Sequence, residues 1–337
     1  MKLSIGIVGM PNVGKSTLFK ELTKKEVNIA NYPFCTIEPN VGIVTVPDER
    51  VDKLTKFSAS AKTIPAVIEF YDIAGLVKGA NTGEGLGNQF LTHIKETQAM
   101  VMVLRCFGGE EIIHVENSVD PVRDMDIINT ELALKDLESI EKAGKRFEAD
   151  AKKGDKESIK ALDGLKVLRP ILEKGASISG KEHSNILQNV RMLELNLLTA
   201  KKQVYFLNGK PSDVSDALKQ KIKEVGADYV VADLSVPSVD LTPLIRKAYE
   251  ILNLISFFTT GADETRAWTI EKGYKAPQAA GAIHTDFEKK FIRAEVINWQ
   301  KLIEAGSWSQ AKAKGWVRLE GKDYVFQDGD VTEIRHG

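Results

Sequence analysis

The sequence predicts an α/β fold on a mostly parallel sheet, interrupted by a helical insertion and followed by a small α+β module. Three observations carry this expectation. From Leu3 to Phe107, short apolar runs of strand length alternate with segments of helical spacing. From about Asp126 to Lys202 strand signals vanish, and Leu, Ile and charged residues recur at helical spacing. Beyond Leu254 the texture changes again, to short strands, a helix and a turn.

Each element has a local reason. Leu3 to Val8 is an apolar run closed by Gly9 and reads as a buried strand. Lys15 to Lys25 places Leu18, Phe19 and Leu22 on one helical face. Val41–Val46, ended by Pro47-Asp48, and Val67–Tyr71, ended by Asp72, are the next strands. A glycine-rich loop from Gly75 to Gly87 leads to a helix near Asn88–Thr97, and Met100–Phe107 is a fourth strand. The insertion reads as two long helices or three, with turns at Lys153-Gly154-Asp155 and Gly175–Gly180. Strand texture resumes at Val204–Leu207 and Asp228–Leu234, with covering helices at Val214–Val225 and Leu241–Leu252. The last part holds strands at Ser256–Thr260 and Ala267–Ile270, a helix, and a hairpin around Glu320-Gly321-Lys322-Asp323.

A chain of 337 residues, 43% hydrophobic and 28% charged, buries a sizeable core and is neither disordered nor fibrous. Net charge is −1, so attraction to nucleic acid has to come from a local patch. One candidate is the insertion, where residues 133–203 hold 15 Lys and Arg against 11 Asp and Glu. Those residues fit either a solvated helical hairpin or a basic arm that touches RNA. Two cysteines, Cys35 and Cys106, exclude a disulfide framework and suit a reducing compartment. The longest apolar runs, such as Met100–Leu104, are too short to span a bilayer, and the N-terminus has no leader pattern. The expectation is a soluble cytoplasmic protein with no membrane partner.

The chemistry concentrates in Gly9-Met10-Pro11-Asn12-Val13-Gly14-Lys15-Ser16-Thr17, which fits G-x-x-x-x-G-K-S/T between a strand and a helix. In such a P-loop the backbone N–H groups of Asn12 to Thr17 cradle phosphates, helped by the positive end of the helix. Lys15 reaches the β- and γ-phosphates, and the Ser16 hydroxyl is a Mg²⁺ ligand. Asp72-Ile73-Ala74-Gly75 follows a strand as D-x-x-G does in GTPase-like switches. There Asp72 holds Mg²⁺ through water and the Gly75 N–H meets the γ-phosphate. Thr36, in the intervening loop, completes the metal shell. Cys35 beside it is either a redox-sensitive thiol or a small space-filling residue.

Five strings then define a resemblance. Asn31 to Asn40 (NYPFCTIEPN) and Asp72 to Ala80 (DIAGLVKGA) resemble the YchF family, the Obg-like ATPases. Arg266-Ala267-Trp268-Thr269-Ile270, Ala276 to Gly281, and Ile283 to Lys289 are similar to that family's TGS domain. The resemblance covers essentially the whole chain. It implies a discontinuous P-loop ATPase domain on a GTPase-like scaffold (1–132 and 204–253), a coiled-coil-like helical insertion (133–203) and a TGS domain (254–337). It also implies ATP hydrolysis, ribosome association and a link to translation and stress adaptation. RNA contact through the arm and the TGS domain belongs to the same expectation.

Base choice has a physical side as well. A guanine-specific N-K-x-D motif uses its Asp to accept from guanine. Here Asn208-Gly209-Lys210-Pro211 has no carboxylate at the fourth place, which favours ATP. The family usually shows N-x-x-E, so Pro211 is a departure, and adenine is expected to be held by backbone around Asn208–Lys210. The chain is also shorter than the family pattern between Asp233 and Asp240. Ser235 fills either the base-loop position or an ordinary turn. Where many GTPases carry a water-orienting Gln after D-x-x-G, this sequence has Leu76, so intrinsic turnover should be slow. By resemblance His114 is the catalytic candidate beside Lys15, and Asn12 matches an asparagine that binds K⁺ in GTPases lacking that Gln. An ATP-hydrolysing ribosome switch, a non-enzymatic nucleotide-dependent adaptor and an Obg-type GTPase all remain open.

Overall fold

The computed structural model describes residues 3–24, 27, 32, 38, 40–73, 93–108 and 118–337. Two compact units emerge. One holds the described residues of 3–24, 40–42 and 69–244; the other holds those of 43–68 and 245–337. The sequence division puts 43–68 with the first domain, whereas contacts group it with the second unit.

One sheet has the order β2-β4-β1-β5-β6-β7. Its strands are β1 (Ser4–Gly9), β2 (Val41–Thr45), β4 (Val67–Asp72), β5 (Ala99–Arg105), β6 (Lys202–Asn208) and β7 (Asp228–Ala232). The pairs β1–β4, β1–β5, β5–β6 and β6–β7 are all parallel. Every residue of β1 and β5 is buried, as expected for parallel strands covered on both faces. β1 lies between β4 and β5, so the loop leaving it opens where the strand order reverses, the usual place for a ligand. Helix α1 (Lys15–Leu22) follows that loop at once.

The insertion forms a helical hairpin of α3 (Pro121–Ala151) and α4 (Lys156–Leu172). Asp120 caps α3 by accepting from Val122 N and Arg123 N, and Pro121 occupies the first turn, where no N–H partner is required. Asp155 caps α4 through Ser158 N. Ile140 and Phe147 of α3 pack with Leu165, Leu168 and Leu172 of α4, and Met192 and Leu197 close the same core. Beyond α4 the chain makes only short helical turns between 181 and 193, so no third long helix forms.

Residues 196–201 carry the chain from this hairpin back to β6 and knot three pieces together. The fully buried Asp136 of α3 accepts from Leu198 N at 2.8 Å, Thr199 N at 2.8 Å and Thr199 Oγ1 at 2.6 Å. Lys201 Nζ donates to Lys95 O at 3.1 Å, Asn196 Oδ1 at 3.0 Å and Thr97 O. Asn196 Nδ2 also donates to Lys95 O. Burial pushes the Lys201 ammonium down to about 8, partly offset by Asp136. It raises the Asp136 carboxyl above the usual range against the pull of its own donors.

The second unit has its own sheet, of order β11-β10-β12-β8-β9-β3. It comprises β3 (Lys62–Ile64), β8 (Leu254–Thr260), β9 (Glu264–Glu271), β10 (Phe291–Asn298), β11 (Arg318–Glu320) and β12 (Asp330–His336). Phe257, Ile270, Ala276, Ala280, Phe291 and Phe326 form its core, with Phe257 and Phe326 rings edge to face at 5.0 Å. The hairpin expected around Glu320–Asp323 is corrected. β11 and β12 lie on either side of β10, each antiparallel to it, and do not pair with each other. The turn chemistry is present, but the chain leaving it makes only an isolated bridge, Lys275 to Val325. Helix α2 (Glu49–Ser58) and strand β3 are unanticipated. The signal for α2 was Asp48, whose side chain accepts from Arg50 N as an N-cap.

Candidate functional site

The loop between β1 and α1 takes its shape from two left-handed residues, Asn12 (φ 61°) and Gly14 (φ 106°). Gly14 is required on a second count: a Cβ there would lie 2.6 Å from Asn208 Nδ2. Since Gly14 is the N-cap and offers no side-chain acceptor, the first N–H groups of α1 are left for a ligand. They face a cavity of about 790 Å³. Asn12, Gly14, Lys15, Ser16 and Thr17 line one end of it. Val13 does not line it, and its side chain is buried.

Lys15 Nζ donates to Met10 O at 2.7 Å, folded back onto its own loop. Burial holds its ammonium down at about 8, against the opposing pull of Asp72. The Asp72 carboxyl is itself raised by burial, while a hydrogen bond from Ser16 and the charge of Lys15 act the other way. The structure thus brings Lys15, Ser16 and Asp72 together beside the cavity. Thr36, Gly75, His114, Leu76 and Cys35 lie outside the described residues.

A pH dependence follows from Lys15. A polyphosphate opposite the ammonium would raise its pKa, so the complex would keep a proton that the free protein sheds as pH rises through about 8. Affinity for a nucleoside triphosphate should be level below that pH and fall above it, by at most one proton's worth of slope. Calorimetry in buffers of differing ionisation enthalpy should detect fractional proton uptake on binding near that pH. Lys15→Arg, which cannot deprotonate in this range, should abolish the slope at whatever affinity it retains.

The other end of the cavity is lined by Phe107, Gly108, Asn208, Lys210, Asp213, Asp233, Leu234 and Ser235. These lie at or just beyond the C-terminal ends of β5, β6 and β7, one to three strand spacings, roughly 5–15 Å, from β1. That is the scale of a nucleoside. Asn208 is only 3% exposed and ties the two ends together. Its Nδ2 donates to Val13 O at 2.9 Å, and its Oδ1 accepts from Leu234 N at 3.2 Å. Ser235 does line the pocket, its N–H and hydroxyl both donating to Asp233 Oδ1. Sequence reasoning missed Phe107 and Asp213. The available signal for Asp213 was Pro211 opening a helical turn with an acidic residue two places later, a capping pattern. Although Pro211 stands at the fourth motif place, the pocket does contain a carboxylate.

A phosphate loop on the central strand, a lysine and hydroxyl aimed beside an aspartate, and a base-sized recess along the same strand ends define a P-loop nucleotide-binding protein of the GTPase type. Comparison with known proteins agrees. The family model MMR_HSR1, "50S ribosome-binding GTPase", matches residues 4–142, and YchF-GTPase_C, "Protein of unknown function (DUF933)", matches residues 254–337. The chain is 44% identical to "Ribosome-binding ATPase YchF" of Haemophilus influenzae and 42% identical to the Bacillus subtilis protein of that name. In each case 99% of both chains is covered. It also matches the solved structure of the Schizosaccharomyces pombe YchF GTPase, with 37% identity and a TM-score of 0.83 over 99% of this chain and 98% of that one. The chain belongs to the YchF family. The alignment to the Haemophilus relative runs over 365 positions, more than the 337 residues present here, so that relative carries residues this chain lacks. Among the described residues no helix is long and apolar enough to cross a membrane.

Proposed function

We propose that the chain is a Mg²⁺-dependent ATPase that acts on the ribosome. The observation that carries this reading is that Lys15 and Ser16 line one end of a nucleotide-sized cavity while Ser16 hydrogen-bonds Asp72. Relatives called ribosome-binding ATPases over their full length support the substrate and the partner. The Ser16 hydroxyl and the Asp72 carboxylate are hard oxygen donors of the kind Mg²⁺ takes alongside phosphate oxygens, so they fit that ion. When bound, it neutralises charge on the phosphates. Lys15 then swings from Met10 O to the β- and γ-phosphates, and the backbone of Asn12 to Thr17 orients the chain of phosphates. Thr36 as a further metal ligand, Gly75 at the γ-phosphate, Asn12 beside a K⁺ ion and His114 as the water-positioning residue complete the reading. The hairpin of 133–203 and the TGS module of 254–337 serve as the docking parts, with RNA as the surface they meet. The intracellular site of action is the cytoplasm.

The deciding experiment is titration with ATP and GTP, with phosphate release followed in the presence and absence of ribosomes. ATP should bind at least about tenfold tighter than GTP, roughly 1.4 kcal/mol. A preference for GTP would return the chain to the Obg-type GTPases. Tight binding with no phosphate release, even on ribosomes, would favour the non-enzymatic adaptor that Leu76 keeps in view.

A further inference from the structure

The base end of the cavity contains a carboxylate that the motif did not foresee. Asp213 closes the helical turn Pro211–Asp213, and its Oδ2 accepts from Lys210 N at 2.9 Å. Among the described residues, Oδ1 receives only a long contact from the Ser212 hydroxyl, 3.3 Å. An ionised carboxylate has about four acceptor sites, so most of its capacity on that side is unspent. The chain makes room for it: a Cβ on Gly209 would sit 3.3 Å from Asp213 Oδ2 and 3.2 Å from Cys106 Cβ. The second carboxylate in the lining, Asp233, is turned onto the N–H and hydroxyl of Ser235. Phe107 supplies an aromatic wall, its carbonyl fixed by Arg105 Nε at 3.1 Å and its ring 4.6 Å from the Arg105 guanidinium. Asn208, the residue the motif offers for base contact, has one N–H and its carbonyl occupied within the protein.

We propose that Asp213 is the base-selecting residue of this chain, accepting a hydrogen bond from the exocyclic 6-amine of adenine. The proposal rests on the ATP reading above and names the atom that enforces it. Adenine offers a donor at position 6, whereas guanine and hypoxanthine offer an acceptor oxygen there, which a carboxylate repels. Discrimination of this kind is strong because the wrong base leaves two acceptors facing each other without a proton between them.

The test uses four triphosphates on the full chain: ATP, purine riboside triphosphate (which lacks the amine), ITP and GTP. In the wild-type protein ATP should bind about tenfold tighter than the amine-free analogue, and tighter still than ITP. Asp213→Asn keeps an oxygen for Lys210 N, so the turn is retained, but it presents an amide N–H₂ where a carboxylate oxygen stood. That variant should lose the preference for the amine and gain affinity for ITP, with an unchanged unfolding midpoint. A merely structural Asp213 would leave the ranking of the four ligands unaltered in D213N, and that result overturns the proposal. So does equal binding of ATP and purine riboside triphosphate by the wild type, a result independent of any variant. Failure of the nucleotide reading looks different: the wild type would then bind none of the four. If guanine is preferred and D213N weakens it, the residue reads N1 and N2 instead, and the adenine assignment is wrong.

Discussion

Replacing Lys15 with alanine should lower Mg·ATP affinity or turnover by at least about 100-fold, while leaving the unliganded protein as stable as before. The loss is the removal of a charge-assisted contact from a largely buried ammonium to phosphate, about 3 kcal/mol in energy. Stability holds because Lys15 is 7% exposed, so burial already works against its charge and offsets what its contacts contribute. Among the described residues, its ammonium donates to Met10 O. A binding isotherm and a thermal melt on the same preparation check both halves. Wild-type turnover in the variant would remove the phosphate loop from the reaction. A collapse of the fold would show that Lys15 holds the loop together instead.

The second large effect is structural. Asp136→Leu should destabilise the protein by about 3–5 kcal/mol, because it orphans the buried N–H groups of Leu198 and Thr199 and the Thr199 hydroxyl in one step. Denaturant unfolding measures it. Asp136→Asn should be milder, since one amide oxygen still serves part of the set. Equal losses in the two variants would mean that the negative charge, and not the acceptor geometry, holds the root of the hairpin.

How far the site was legible depended on whether its chemistry was local. The phosphate-loop pattern is readable because Gly14, Lys15 and Ser16 are adjacent in sequence, between a strand and a helix that announce themselves. Asp72 was readable for the same reason, as the end of an apolar strand. The base end was not, because it is assembled from three strand termini and Asp213 reaches it from a turn that has slipped two residues past the motif. The helical hairpin was evident from periodicity, yet the residues that anchor it were not. Asp136 looks like one more charge on an amphipathic helix until the chain at 198–199 is folded against it. In the second unit the strand β3, three residues with two of them exposed, carried no hydrophobic pattern to read. Its place beside β9 is a tertiary decision, made by parallel pairing of Lys62–Ile64 with Glu264–Arg266.

The knot at Asp136 also sets the leverage of the hairpin. Helix α3 has 31 residues, so it is about 46 Å long, and Asp136 stands near its midpoint with about 22 Å of helix beyond it. Each degree of tilt allowed at that fulcrum would swing the far end by about 0.4 Å, simple geometry on that length. Short bonds from two backbone N–H groups and a hydroxyl to one buried carboxylate restrict that tilt, so the aim of the hairpin's tip is decided far from the tip itself.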